Sequence, residues 1–278
     1  MTTKVALEVE PITRSVGALV QGVDLRKPLD SDTARDIRAA LLQHGAVFFH
    51  DQDLSDEEMH RFASSFGTPI PEPASPNPET PAVGQADLGP TKVSTSVWHS
   101  DTTFVMEPPM ATALRAVSLP PVGGDTCWSS MYAAYDALSE SMRGLLDGLT
   151  AVHSMVGLLE RSGLRITDRA DALAARHGAE VVHPVVRVHP ETGRKALFVN
   201  ESSCTRIVEL TRAESAHVLS LLFEHVKSPD FMMRWRWRPN DVALWDNRAV
   251  QHYAVPDYDS TRVMQRVVLG GDRPEGPR

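Results

Sequence analysis

A histidine and an aspartate two positions apart, in Trp98-His99-Ser100-Asp101, have the clearest chemical potential in the chain. In an extended strand, residues i and i+2 point to the same side. His99 and Asp101 can therefore present an imidazole and a carboxylate together. One further histidine would complete the two-histidine, one-carboxylate ligand set that holds non-haem Fe(II) and leaves positions open for oxygen chemistry.

A second pair of this type occurs in His189-Pro190-Glu191-Thr192-Gly193. A His-x-Asp or His-x-Glu pair is expected by chance about once in a chain of this composition. Here the proline and glycine are typical of a turn, and apolar alternating runs lie on both sides. This copy is predicted to form the tip of a hairpin.

The candidate third ligand is His252, which follows Trp245-Asp246-Asn247-Arg248. It lies far from His99 along the chain, so the two histidines can meet only through folding. The alternative is a buried histidine that bonds to the backbone.

Two arginines suggest an anion site. Arg262 and Arg266 are four residues apart on the apolar run 262–269, so in a strand they share a face. A buried arginine is costly without an anionic partner, and a bound carboxylate would satisfy it. An ordinary structural ion pair is the alternative.

Two threonines are weaker candidates. The turn Gly123-Gly124-Asp125-Thr126 enters a strand-like run, and the Thr126 hydroxyl could bind the carboxylate that Arg262 holds. Thr95 could line the same pocket, or it could be a surface hydroxyl.

Many short apolar runs separated by turns predict a mainly β protein with helical insertions, built on a sandwich or barrel. Regular alternation of strands and helices, which would favour a doubly wound parallel sheet, is absent. Helices are expected at 31–43, 55–66, 168–177 and 211–226, and capping boxes open the second and fourth. Strands are expected at 5–9, 18–23, 46–49, 111–119, 126–129, 150–156, 181–188, 195–199, 232–238, 241–245 and 262–269.

Prolines crowd residues 67–92, which lead directly into Trp98-His99. Long loops of this kind in compact proteins are usually lids, binding loops or disordered segments. We expect an active-site lid over about 67–97, with a mobile surface connection as the alternative.

The composition limits the partners. A formal charge of −8 disfavours binding to nucleic acid or to anionic membranes by charge alone. The two cysteines, Cys127 and Cys204, form no disulfide framework. No signal-type apolar run opens the chain, and none approaches the ~18 apolar residues of a membrane helix. A cytoplasmic protein is expected.

Together these segments resemble the taurine and aryloxyalkanoate dioxygenase (TauD/TfdA) family of Fe(II)- and 2-oxoglutarate-dependent enzymes. The resemblance runs along most of the chain and depends on an ordered set of motifs. They are Gly17–Leu25, Trp98–Phe104, Gly123–Thr126, His183–Val186, Trp245–Arg248, His252 and the Arg262/Arg266 pair.

The resemblance implies one domain over 1–278 with a double-stranded β-helix (jelly-roll) core. It implies iron ligation by His99, Asp101 and His252, and 2-oxoglutarate binding by Thr126 and Arg262. Arg266, with Thr95 nearby, would face the acidic group of the substrate. A homo-oligomer, either a dimer or a tetramer, is common in the family.

One segment departs from the members that use taurine. Those carry a histidine and a tyrosine shortly after the Phe-Gly that ends the second helix. Here Phe66-Gly67 is followed by Thr68-Pro69-Ile70-Pro71-Glu72-Pro73-Ala74. The segments 123–132, 152–154 and 183–193 look closer to members that act on aryloxyalkanoates or alkyl sulfates.

The predicted function is hydroxylation of a small organic anion, a carboxylate, sulfate or sulfonate, with O2 and 2-oxoglutarate consumed and succinate and CO2 released. One alternative keeps these cofactors but desaturates, epimerises or cyclises a natural-product intermediate. Two others are a non-catalytic jelly-roll binding protein and a zinc hydrolase, since two histidines and a carboxylate also suit zinc.

Overall fold

The computed structural model describes residues 7–71, 83–87, 96–155 and 180–278. The helices in these ranges are α1 Ser31–His44, α2 Asp56–Ser64, α3 Met131–Asp136, α4 Glu140–Leu146 and α5 Arg212–His225. The first eight strands are β1 Glu8–Pro11, β2 Ala18–Gln21, β3 Ala46–Phe49, β4 Val83–Asp87, β5 Ala111–Ser118, β6 Thr126–Ser130, β7 Thr150–Ser154 and β8 Glu180–Pro184. The others are β9 Val186–Val188, β10 Lys195–Leu197, β11 Cys204–Ile207, β12 Met232–Trp235, β13 Val242–Asp246, β14 Val250–Ala254 and β15 Val263–Leu269.

Local signals in the sequence determine where the longer helices begin. Both predicted capping boxes are present, at Ser55 with Glu58 and at Thr211 with Glu214. In each, the side chains satisfy backbone N–H groups that the first helical turn leaves unpaired. Helix α1 ends at Gly45, whose left-handed backbone (φ 71°) lets its N–H bond to the Leu41 carbonyl at 2.7 Å.

Seven strands form the larger sheet, in the order β1-β2-β3-β13-β5-β15-β4. Its pairs are antiparallel except β2 with β3. A smaller sheet has the order β12-β6-β14, and the remaining strands form a sheet β11-β7-β8 and a hairpin β9-β10.

The alternation of side chains along β3 shows how the large sheet is buried on both faces. Val47 and Phe49 pack with the residues of α1 and α2, whereas Ala46 and Phe48 pack between the two sheets. The inter-sheet layer also contains Trp128 of β6 and Trp245 of β13. This sandwich is the expected jelly-roll core, and the prediction of a mainly β fold is confirmed.

The structure contains three strands that the sequence did not predict, β4, β11 and β14. Val83–Asp87, inside the predicted Pro-rich lid, pairs with β15 as an edge strand. Its short sequence has no alternating pattern, so the hydrogen bonds of β15 define it rather than any local signal.

Pro190 and Glu191 lie in the turn between β9 and β10, which confirms the predicted hairpin tip.

Some predicted features fall outside the described residues. They are the helix at 168–177, Thr95, and most of the predicted lid at 67–97, of which residues 67–71, 83–87 and 96–97 are described. In the described ranges, no helix has the length and apolar character needed to cross a membrane. Both cysteines are buried, and neither forms a disulfide.

Candidate metal centre

Backbone pairing brings the two predicted histidine ligands together. His99 and His252 form an isolated antiparallel bridge, in which each N–H donates to the other's carbonyl at 3.1 and 2.8 Å. His252 lies on β14, so this bridge extends the smaller sheet to the segment that carries His99. Residues directly opposite in such a pair project to the same face. The ring centroids are 4.1 Å apart.

Asp101 completes the cluster. Its Oδ1 lies 3.6 Å from His252 Nε2 and 3.9 Å from His99 Nε2. The three side chains are 9–12% exposed, so they lie just below the surface. The potential ligand atoms of these three side chains all lie within 4.8 Å of one another. Among the described residues, no other group of three or more metal-binding side chains is this close together. Two imidazoles and a carboxylate fit Fe(II), with positions left for oxygen chemistry.

The ring of His99 is oriented for ligation. Its Nδ1 donates to the Val97 carbonyl at 2.7 Å, so the lone pair is on Nε2, which faces Asp101. His252 differs, because its Nδ1 is buried with no hydrogen-bond partner in the described residues. Among the described residues, this atom therefore makes no bond to the backbone of the kind that a purely structural histidine would make. The His252 ring packs instead on Trp245, with centroids 4.8 Å apart.

At neutral pH, His252 and Asp101 are both in the protonation state that suits a metal site. Burial lowers the pKa of His252 to about 3, so its imidazole is neutral. Burial opposes the charge on Asp101, but the imidazoles, the Arg266 guanidinium and the Thr112 hydroxyl outweigh it and lower its pKa to about 2. A carboxylate and neutral imidazoles are the forms that bind divalent metals.

Two residues that sequence reasoning missed hold the other oxygen of Asp101. Thr112 Oγ1 donates to Asp101 Oδ2 at 2.7 Å, and Asn247 Nδ2 approaches the same oxygen at 3.2 Å. Asn247 belongs to the motif Trp245–Arg248, which the sequence analysis used only as a family marker. Thr112 has no sequence signal, because its partner is set by how β5 packs.

The Arg262 guanidinium lies in the sandwich interior. The residue is 1% exposed, and its Nη2 donates to Thr126 Oγ1 at 3.2 Å. Its Nε is buried without a hydrogen-bond partner, and no carboxylate of the described residues forms an ion pair with it. Burial lowers its pKa to about 10, which leaves it charged at neutral pH. A buried charge of this kind is suited to a bound anion.

Thr126 is arranged to serve the same anion. Its hydroxyl oxygen accepts hydrogen bonds from Arg262 and from Trp237 Nε1 at 3.0 Å. Since both neighbours donate, the Thr126 proton is available to an acceptor. Thr126 pairs with Ala254 and His252 pairs with Trp128, so Thr126 is diagonal to His252 on one face of the smaller sheet. Diagonal neighbours of this kind are roughly 7–8 Å apart.

Arg266 lies on the facing sheet. It is two residues from the inter-sheet residue Met264 on β15, so it projects to the same layer. Its charge lowers the pKa of both Asp101 and His252, which indicates that it lies near the cluster. The structure therefore brings together six of the seven predicted site residues, and the seventh, Thr95, lies outside the described part.

Comparison with known proteins adds the family. A sequence model described as taurine catabolism dioxygenase TauD, TfdA family matches residues 8–268. The chain is 40% identical to an alpha-ketoglutarate-dependent sulfate ester dioxygenase of Pseudomonas putida, over 97% of this chain and 91% of that protein. It is 36% identical to an alkylsulfatase of Acinetobacter baylyi, over 96% and 86% of the two chains.

The fold agrees with these matches. The crystal structure of a taurine dioxygenase from Burkholderia xenovorans superposes with a TM-score of 0.84 and 38% sequence identity, over 98% of this chain and 91% of that one. The predicted family resemblance and the predicted enzyme class are confirmed, in preference to a zinc hydrolase or a non-catalytic binding protein.

Proposed function

The chain belongs to the TauD, TfdA family of dioxygenases, and on that premise we propose that it oxidises a small sulfate ester. As a dioxygenase of this family it uses Fe(II), 2-oxoglutarate and O2, and it oxidises small anionic organic molecules. The observation that carries the proposal is the convergence of His99, Asp101 and His252 beside two interior arginines.

In this proposal, His99 Nε2, His252 Nε2 and Asp101 Oδ1 hold the iron. The bound iron supplies the redox chemistry that couples O2 and the loss of CO2 from 2-oxoglutarate to oxidation of a substrate C–H bond. Arg262 and Thr126 bind the distal carboxylate of 2-oxoglutarate. Their support is a buried guanidinium and a hydroxyl proton that both lack an anionic partner in the described residues.

Arg266 is proposed to bind the sulfate group. Its charge lies near Asp101 and His252, so an anion on it would place the adjacent carbon beside the iron. One oxygen atom enters the C–H bond next to the ester oxygen, and the other enters succinate. The hydroxylated carbon then releases sulfate and leaves an aldehyde.

Sulfate esters are preferred over taurine for two reasons. The two relatives described above are a sulfate ester dioxygenase and an alkylsulfatase. The residues after Phe66-Gly67 also lack the histidine and tyrosine of taurine-using members.

Succinate release tests the proposal. Protein supplied with Fe(II), 2-oxoglutarate and air is offered straight-chain alkyl sulfates, alkylsulfonates including taurine, and aryloxyalkanoates. An alkyl sulfate should stimulate succinate release most strongly, with sulfate formed in equal amount, and Asp101→Ala should abolish the stimulation. Stimulation by taurine alone would contradict the substrate proposal. A product mass showing loss of two hydrogens would instead favour desaturation.

We further propose a cytoplasmic homo-oligomer built from one catalytic domain over 1–278, with 67–97 as its lid. Cys127 and Cys204 are buried and form no disulfide, which suits a reducing compartment. The relatives match along nearly the whole chain. Light scattering after size-exclusion chromatography should give the mass of a dimer or tetramer. The mass of one chain would contradict the oligomer.

A further inference from the structure

The two carboxylate oxygens of Asp101 have different surroundings. Oδ1 faces the imidazole nitrogens of His99 and His252, whereas Oδ2 accepts the hydrogen bonds of Thr112 and Asn247. We propose that Thr112 and Asn247 are positioning residues that keep Asp101 a one-oxygen ligand of the iron. This inference rests on the proposed assignment of the three iron ligands.

The hydrogen bonds around Oδ2 form a closed set with fixed directions. Asn247 Oδ1 accepts from Trp245 Nε1 at 3.0 Å and from the Asp101 backbone N–H at 3.3 Å. Its Nδ2 must therefore face the other way, toward Asp101 Oδ2 and toward Thr112 Oγ1 at 3.0 Å. Since Thr112 Oγ1 accepts this bond, its own proton goes to Oδ2. Oδ2 thus accepts hydrogen bonds from both Thr112 and Asn247.

Rigid supports hold both donors. Thr112 is fully buried on β5, an interior strand of the large sheet that lies between β13 and β15. Asn247 lies in the turn between β13 and β14, and its N–H donates to the Met110 carbonyl at 2.9 Å. Neither donor can follow Oδ2 if the carboxylate rotates.

His189 and Glu191, the pair that was predicted to lie at a hairpin tip, stabilise this turn. Asp246 accepts from Arg248 Nε at 2.8 Å and from His189 Nε2 at 3.0 Å. Arg248 Nη2 also donates to Glu191 Oε1 at 2.8 Å. The residues on both sides of Asn247 are therefore anchored to the β9-β10 hairpin, which explains how a pair outside the metal cluster still bears on it.

One-oxygen ligation by Asp101 matters because it determines how many coordination positions of the metal stay free. Two histidines and one carboxylate oxygen leave three positions on a six-coordinate ion. 2-Oxoglutarate needs two of them and O2 needs one. A carboxylate that bound through both oxygens would occupy one of these positions, so reserving Oδ2 for Thr112 and Asn247 keeps the site open.

Metal binding to the apoprotein tests the inference without turnover. Mn(II) serves as the probe, titrated calorimetrically into metal-free protein. Thr112→Val removes the hydroxyl at nearly constant volume, and we expect its Mn(II) Kd to rise about 10–100-fold. Thr112→Ser restores the donor and should restore the affinity.

Ser129→Ala is the matched control, because it removes another buried hydroxyl, which donates to the Val226 carbonyl away from the metal cluster. It should lower the Tm as Thr112→Val does but leave the Mn(II) Kd unchanged. A Thr112→Val protein, and likewise an Asn247→Ala protein, that binds Mn(II) as tightly as the unsubstituted chain would overturn the inference.

The Asp101→Ala variant distinguishes failure of the positioning role from failure of the proposed ligand assignment. If Asp101→Ala and the unsubstituted chain bind Mn(II) alike, the ligand assignment fails and the positioning role fails with it. If Asp101→Ala loses binding while Thr112→Val and Asn247→Ala retain it, the ligand assignment stands and only the positioning role fails. A second readout is the amount of 2-oxoglutarate consumed per product formed. It should rise in the Thr112→Val and Asn247→Ala proteins, because Asp101 is then misplaced.

Discussion

Arg262 and Arg266 are proposed to bind two different anions although they are only four residues apart. Both were predicted from their spacing on one apolar run, and both lie on the interior side of the sandwich. Arg262 contacts Thr126 on the smaller sheet, whereas the charge of Arg266 lowers the pKa values of Asp101 and His252. Two guanidiniums four residues apart can therefore serve two different ligands.

Arg262→Ala should raise the KM for 2-oxoglutarate. A hydrogen bond to a charged group contributes about 1.5–3 kcal/mol, which corresponds to roughly one to two decades of affinity. Succinate formation, measured against 2-oxoglutarate at saturating alkyl sulfate, gives the value. A KM equal to that of the unsubstituted protein would remove Arg262 from this role.

Arg266→Ala should instead raise the KM for the alkyl sulfate, by a similar factor, with the KM for 2-oxoglutarate little changed. The physical reason is loss of the charge-assisted bond to the substrate anion. Both constants are measured on the same preparation, and the Arg262→Ala protein serves as the reciprocal control. If the two variants share one defect in 2-oxoglutarate alone, the division of roles is wrong.

At the scale of elements, the turn before β6 shapes the Arg262 pocket. Gly124 has φ +73°, and a Cβ there would lie 3.1 Å from Arg262 Cδ and 3.4 Å from its Nε. The glycine thus permits both the left-handed backbone and the close approach of the arginine. From the sequence alone, Gly124 is recognisable only as part of a turn.

Gly124→Ala should therefore raise the KM for 2-oxoglutarate, because the methyl group displaces the Arg262 stem. Gly193→Ala is the matched control, since Gly193 has φ +68° but nothing within 4 Å of an added Cβ. Both substitutions should cost about 1–2 kcal/mol of stability from the left-handed backbone. Urea unfolding and succinate kinetics separate the two effects, and equal KM values in the two variants would count against the contact.

Elements were predictable where the signal is local. The capping boxes at Ser55 and Thr211 and the short apolar run 46–49 identified their elements correctly. The short helices α3 and α4 and the strands β4, β11 and β14 were missed. His252 was named as a ligand from its residue type and the family motifs, yet its bridge to His99 depends on the pairing of β14 with β6, which no local pattern encodes.

At the scale of the whole molecule, a buried ion-pair network connects the core to the hairpin β9-β10. Asp246 is 1% exposed and bonds to both Arg248 and His189, and Glu191 also accepts from Arg38 of α1 at 2.8 Å. Burial opposes the charge on Asp246, but the Arg248 and His189 partners outweigh it and lower its pKa well below the ordinary value.

This shift predicts an acid-sensitive fold. Because the unfolded state binds a proton at Asp246 more readily than the folded state does, the stabilisation is complete above about pH 4 and is lost as the pH falls further. Asp246→Asn should destabilise the protein by about 3–5 kcal/mol at neutral pH, since it breaks a buried pair, and should flatten the acid decline.

Urea unfolding from pH 3 to 7 checks both effects. Asp136→Asn is the control, because its ion pair with Arg194 is exposed, and it should change little. An Asp246→Asn protein with an unaltered acid decline would show that other groups dominate it.

The sandwich as a whole places the proposed ligands at the smaller sheet and Arg266 on the larger one, so the site exists only in the folded chain. Diffraction from crystals grown with Mn(II) and 2-oxoglutarate tests this arrangement most directly. The anomalous peak of the metal should lie within bonding distance of His99 Nε2, His252 Nε2 and Asp101 Oδ1, with the distal carboxylate of 2-oxoglutarate on Arg262 and Thr126. A metal peak away from these atoms, or a 2-oxoglutarate carboxylate that does not touch Arg262, would contradict the account.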